Sequence, residues 1–255
     1  MHGFEVIIDS HTHWGPSISM GTTVSTGELK HQQIASGVTH VIIMPFPSTA
    51  IESNAINQTV MEETQRVPEF IPYHYIREEY EKNNFDPIPE GFFGGKWHWM
   101  RGVQDVSSNY GVLEDPALGS LIQKISTTGK PVIFEEELSF TKTFVEMFPD
   151  VTLIIPHLGL LGGDPLDFLK TFRRYDNLFF DTALASYDTI IEFENKIGAE
   201  RLLFGSDVPF GSMKTELSKI IQLPIPDVSK AKILSGNIRR LARLPDGLFS
   251  PGKNA

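Results

Sequence analysis

The chain has 255 residues, with 32 acidic and 22 basic side chains for a formal charge of −10, and it has no cysteine. Disulfides, thiolate nucleophiles and thiolate metal sites are therefore excluded, and the acidic balance argues against a nucleic-acid partner. Hydrophobic residues at 40% and charged residues at 21% describe an ordinary folded chain without a long apolar run, so no membrane association is expected. The opening MHGFEVIID lacks the basic and apolar regions of a signal peptide, and a cytoplasmic location is expected.

Strand-like and helix-like segments alternate along the chain. FEVIID (4–9) is short, apolar and β-branched, as a strand buried on both faces should be. A helix over 25–37 follows, ending on glycine, then a second strand in VTHVIIMPF (38–46). A helix over 53–67 leads to a third strand, EFIPYHY (69–75), and the glycine-rich, aromatic GFFGGKWH (91–98) is the fourth. The helix predicted over 115–129 opens Asp-Pro and closes on glycine, and PVIFEE (131–136) is the fifth strand. Helices over 138–149, 164–175 and 186–198 alternate with strands VTLIIPH (151–157), NLFFDT (177–182) and RLLFGSD (201–207). A last helix spans 228–244, and the tail 250–255 is expected to fray.

Eight buried strands, each followed by a helix in a chain of roughly 250 residues, predict an α/β fold: a (β/α)8 TIM barrel forming a single domain over 1–255. An open doubly wound sheet is the alternative. It usually carries a glycine-rich phosphate turn after its first strand, where this chain has SHTHWGP.

Chemistry in such a barrel sits at the C-terminal strand ends, so the polar residues there are the candidates. Strand one ends in His11-Thr12-His13. Side chains two apart on an extended chain face the same side, so the two imidazoles can converge on one metal; the alternative is a histidine pair in a polar turn. Asp207, in LLFGSDVPFG, is a ligand or a base, or else a helix N-cap. His157 ends an apolar strand and otherwise reads as a satisfied buried histidine.

The set IIDSHTH, LIIPHLG, LFFDTALAS, LLFGSDVPFG and KILSGNIRRL resembles the amidohydrolase superfamily, in particular the amidohydrolase-related branch that includes decarboxylases and dicarboxylate lactonases. The resemblance implies that His11, His13 and Asp207 bind a divalent metal, zinc first, with Asp207 also acting as base. It implies that His157 is a further ligand or an acid–base group. The family usually has a histidine at the end of strand five, where this chain has Glu135. Glutamate can bind zinc, and added oxygen donors tilt a site towards Mn or Mg. By strand alternation Glu135 and Glu137 share one face and Glu136 the other.

Lys96 in GGKWH resembles the strand-four lysine of relatives. It is a carbamylated bridge between metals, a cation for a substrate carboxylate, or the partner of a nearby glutamate. His98, on the same face as Lys96, is a candidate substrate contact or an extra ligand, and Arg101 is a candidate substrate contact through a bidentate guanidinium. Trp14, with Trp97, Trp99 and Phe210, is a candidate for an aromatic pocket or for packing at the rim.

The expected function is a metal-dependent hydrolase in which metal-activated water attacks an amide, lactone or ester carbonyl of a small substrate. The alternatives are a non-oxidative decarboxylase of an aromatic or unsaturated carboxylic acid, and a metal-free binding or regulatory barrel. A homodimer is the default assembly.

Overall fold

The computed structural model describes residues 3–77, 86–98, 100–102 and 105–249, without the side chains of 100–102, 105 and 106. Strand β1 (Ile8–Ser17) turns back into β2 (Thr22–Val24) and is followed by α1 (Thr26–Ser36) and β3 (His40–Pro45). Helices α2 (Pro47–Glu52) and α3 (Ala55–Arg66) lead to β4 (Phe70–Tyr75) and β5 (Gly94–Trp97). A separate antiparallel pair, β6 (Met100–Gly102) and β7 (Asp105–Ser108), precedes α4 (Leu118–Thr128). Then come β8 (Val132–Phe134), α5 (Leu138–Met147), β9 (Leu153–Ile155), α6 (Pro165–Phe172), β10 (Leu178–Asp181), α7 (Tyr187–Ile197) and β11 (Leu202–Leu203). Helices α8 (Met213–Gln222), α9 (Asp227–Ala231) and α10 (Asn237–Leu241) finish the described chain, the last two joined by a π-helical turn over Lys232–Gly236.

These strands build a nine-stranded sheet in the order β11-β10-β9-β8-β5-β4-β3-β1-β2, parallel except for β2. Each of the eight strand segments read from the sequence contributes to it, the first only from Ile8 and the last only over Leu202–Leu203. The two ends of the parallel array also meet. Thr12 of β1 bridges Val208 in parallel, Ser10 N donates to Phe204 O at 2.9 Å, and His13 N donates to Val208 O at 2.9 Å.

Local chemistry sets the helix ends. Ser25 and Glu28 form a capping box on α1, and Gly37 closes it in the left-handed region at φ 83°. Asp164 caps α6 through Leu166 N, with Pro165 in the first turn. The helix expected from Asp115 starts later, at Leu118, because the Asp115 carboxylate accepts Ala117 N and holds a turn first. The sequence reading passed over α2 and the β6–β7 pair, which lie in stretches without a clear apolar period, and α8, although its buried Met213, Leu217 and Ile220 recur at helical spacing.

The sheet has two apolar faces. Ile8, Ile42, Ile71, Ile133, Ile154 and Leu203 pack together on one, and Ile238 and Ala242 near the end of the described chain pack against them. Residues such as Val41, Phe134, Phe180 and Phe204 face the helices. A fully buried sheet of this kind requires near-continuous apolar strands, which is what made the strands legible.

Gly94 lies under the Tyr73 ring, and a Cβ built there would sit 2.3 Å from Tyr73 Cζ. Gly94→Ala is expected to destabilise the protein by about 1–3 kcal/mol through overpacking, read as a lower urea midpoint at unchanged m. An unchanged midpoint would mean that Tyr73 moves aside freely.

Candidate metal centre

His11 and His13 lie inside β1, where a register shift between Asp9 and Thr12 interrupts its pairing with β3. The strand therefore runs further than its apolar stretch suggested and carries both imidazoles with it. The loop after β11 brings Asp207 against them. His11 Nε2 lies 3.5 Å and His13 Nε2 3.3 Å from Asp207 Oδ1. His157, just after β9, puts its Nε2 3.1 Å from Asp207 Oδ2 and stacks on His11 with ring centroids 5.0 Å apart.

The surrounding hydrogen bonds fix this arrangement. Asp181 at the end of β10 accepts from His11 Nδ1 at 3.0 Å, leaving His11 Nε2 to face Asp207. The other Asp181 oxygen accepts His157 N and Ala183 N, each at 3.0 Å. Asp9 Oδ1 accepts His11 N and Ser206 N, tying β1 to the segment before Asp207. Burial pushes the Asp9 carboxyl up to about 7, against the opposing pull of these bonds.

Backbone strain gathers around the same site. His157, Leu158, Leu184 and Asp207 have φ of 54°, 55°, 58° and 55°, in a region non-glycine residues seldom adopt. Each such residue costs on the order of 1–3 kcal/mol and persists where its surroundings hold it. At Asp207 the turn is held by Phe210 N and Gly211 N, both donating to Asp207 O.

The donor set fits a divalent cation. Ligand atoms of His11, His13 and Asp207 all lie within 4.8 Å of one another, and all three residues are buried. Among the described residues, His11 Nε2 and Asp207 Oδ1 have no hydrogen-bond partner although both are buried. Ligands at zinc-like distances in a tetrahedron stand about 3.3 Å apart, close to the spacings seen. Two imidazole nitrogens and a carboxylate oxygen are ordinary donors for such an ion.

Electrostatics follow from this packing. Burial by itself would raise the Asp207 carboxyl, but His11, His13 and His157 hold it well below the usual range. Burial lowers His13 despite its contact with Asp207. It would also lower His157, yet the Asp207 carboxylate beside it prevails and raises that imidazole to about 9.

A cavity of about 550 Å³ opens over the group, lined by His13, Phe46, His98, Glu135, Asp207 and Phe210 among others. Phe46 stacks on His13 with centroids 4.7 Å apart, and Phe210 meets it edge-on at 6.0 Å. Glu135, Glu136 and Glu137 all border this cavity. The expected alternation of their faces is thus corrected: β8 ends at Phe134, and strand periodicity stops with it. Glu135 does not join the histidine–aspartate group. Its Oε2 pairs with Lys96 Nζ, which is fully buried.

The other predicted contacts divide. His98 lines the cavity, and its Nδ1 meets Glu135 O. Trp14 does not line it; the indole packs in the apolar layer and donates to Thr26 Oγ1 at 3.1 Å. Trp97 is likewise core, packed on Phe134 and Phe144. Trp99, the side chain of Arg101 and residues 250–255 lie outside the described residues. Sequence reasoning missed Phe46, which looked like the apolar end of strand two. Asp181 lies at the end of the strand read as NLFFDT, and nothing in that segment signalled that it would orient His11.

Comparison with known proteins bears on this site. Residues 133–244 match the family described as amidohydrolase. Over that stretch the resemblance read from the sequence holds. The matched segment contains Glu135, His157, Asp181 and Asp207, while His11, His13 and Lys96 lie before it. No curated protein matches the chain.

Solved structures share the fold. One is 2,6-dihydroxybenzoate decarboxylase in complex with 2,6-dihydroxybenzoate: TM-score 0.74, 16% identity, 96% of this chain and 99% of that one covered. 5-Carboxyvanillate decarboxylase from Sphingomonas paucimobilis has TM-score 0.70 and 13% identity, covering 94% and 99%. An amidohydrolase from Burkholderia multivorans with bound zinc has TM-score 0.74 and 12% identity, covering 94% and 100%. Among the described residues no helix is long and apolar enough to cross a membrane.

The raised His157 has a pH signature in the metal-free protein. Its contribution to stability is fully present below about 6.5, the unfolded value, and is lost as pH rises towards 9. Stability from urea titrations is expected to fall across that window, and His157→Gln to flatten the fall. An equal slope in the variant would assign it to another group.

Proposed function

We propose that the chain is a metal-dependent enzyme that removes CO2 without oxidation from an aromatic or unsaturated carboxylic acid. In this reading it is a single-domain, closed (β/α)8 barrel with His11, His13 and Asp207 as metal ligands and zinc as the first candidate ion, Mn the second. The observation that carries the reading is the buried His11–His13–Asp207 group at a cavity whose wall beside His13 is formed by Phe46 and Phe210. Aromatic faces there suit a planar ring whose polar end reaches the histidines. The fold shared with two decarboxylases of hydroxylated aromatic acids supports the same choice.

A bound divalent cation would supply Lewis-acid stabilisation of negative charge on the substrate's oxygens. The chain's own residues do the rest. Phe46 and Phe210 hold the ring plane, and His98 offers a polar contact on the cavity wall. As the bond to the carboxylate breaks, its electron pair stays on the carbon, which takes up a proton while CO2 leaves. The His157 Nε2–Asp207 Oδ2 pair, at 3.1 Å, holds that proton and delivers it.

A second reading is hydrolysis of an amide or lactone, favoured by the amidohydrolase match over 133–244. The same pair then works in reverse, with Asp207 taking a proton from the attacking water.

The deciding assay follows CO2 release from 2,6-dihydroxybenzoate and related hydroxybenzoates beside a panel of lactones and amides, using zinc- or Mn-loaded protein. CO2 release is expected; hydrolysis alone would overturn the decarboxylase in favour of the second reading. Metal content well below one equivalent, with no rescue by added Zn or Mn, would leave a metal-free binding barrel. His13→Ala is expected to lose metal and turnover together with its circular dichroism unchanged. Asp207→Asn is expected to lower kcat by about 10²–10⁴-fold, more than it weakens substrate binding. Activity retained in either variant contradicts the role given to that residue.

A further inference from the structure

Lys96 and Glu135 take no part in the proton steps above, yet they form an ion pair, Lys96 fully and Glu135 partly buried, at the cavity that His13 and Asp207 also line. Lys96 comes from β5 and is fully buried, and its ammonium pairs with Glu135 Oε2 just past the end of β8. Glu135 N is fixed by Trp97 O at 3.0 Å, so the two neighbouring strands hold the pair in register. A buried ammonium is costly unless paired, and among the described residues Glu135 is the carboxylate that meets it.

Glu135 borders the same cavity as His13 and Asp207, and its charge acts on His157 and His11. An added carboxylate bordering the same cavity as a cation site would be drawn into its coordination if it were free to turn. Yet the residues that gather there are His11, His13 and Asp207. We infer that Lys96 is a positioning residue: its ammonium holds the Glu135 carboxylate out of the metal's coordination sphere and keeps a coordination position open for substrate.

The chemical consequence is general. A zinc site with three protein ligands keeps a position for water or substrate, whereas one with four is closed and structural. Releasing Glu135 would give two nitrogen and two oxygen donors, closing the site and moving its preference towards harder ions. The proposal rests on the metal reading above, but its test separates the two.

Zinc affinity is measured on the metal-stripped full chain by competition with a chromophoric chelator. Lys96→Met, which removes the charge at similar bulk, is expected to bind zinc about 10–100-fold more tightly than wild type, the size typical of changes around metal ligands. Glu135→Gln alone and Lys96→Arg, which keeps the cation, are expected to bind as wild type does. In Lys96→Met with Glu135→Gln the gain is expected to vanish.

Unchanged or weaker affinity in a folded Lys96→Met variant overturns the proposal. So does an affinity loss of about tenfold or more in Glu135→Gln, which would make Glu135 a ligand already. Should Lys96→Met fail to fold, Glu135→Gln decides alone. If wild type binds no zinc while Lys96→Met binds one equivalent, the metal reading of the native chain falls and the open coordination position with it, while the hold of Lys96 on Glu135 stands. If neither binds zinc, both fall.

Discussion

The seam between the first strand and the segment after the last one is the constraint on which the site depends. Asp9 and Ser206 are separated by 197 positions, yet Asp9 Oδ1 accepts both Ser206 N and His11 N. Three backbone bonds continue the seam: Ser10 N to Phe204 O, Asp207 N to His11 O at 2.7 Å, and His13 N to Val208 O. The histidines of β1 and the carboxylate of Asp207 are thereby held to ångström-scale register. A buried amide left unpaired costs about 1–3 kcal/mol, so the seam resists slipping by even one residue.

Around that seam, charge is arranged as nested pairs. Asp207 sits among three imidazoles, Asp181 orients His11 from behind, and Lys96 answers Glu135. Buried charges survive only when paired, and each pairing here also aims a group. Left-handed backbone at His157 and Asp207 belongs to the same economy of space. It turns the chain sharply at two strand ends so that both side chains meet. Packing elsewhere holds those turns, as the Phe210 and Gly211 amides do at Asp207.

Much of the fold was legible because parallel strands buried on both faces must be apolar throughout. FEVIID, VTLIIPH and RLLFGSD announce themselves in that way, and helix ends such as Ser25 and Asp164 carry their own caps. The short helix α2 and the β6–β7 pair gave no such signal, since neither strong periodicity nor a paired cap marks them; α8 carries Met213, Leu217 and Ile220 at helical spacing but no side-chain cap to mark its start. The candidate site was legible in part for a related reason. A charged or imidazole side chain at the end of an apolar strand has few bland explanations, and His11, His13, His157 and Asp207 all stand there.

The sequence by itself determined the alternation of strands and helices and the list of polar strand-end residues, because both follow from local pattern and burial. Only the tertiary structure decided which of those residues meet. It placed His11, His13 and Asp207 together, gave Glu135 to Lys96, put Trp14 and Trp97 in packed layers, and brought Phe46 to the cavity wall. Those outcomes turn on distances between strands far apart in the chain and on where each strand stops. A one-dimensional pattern carries neither.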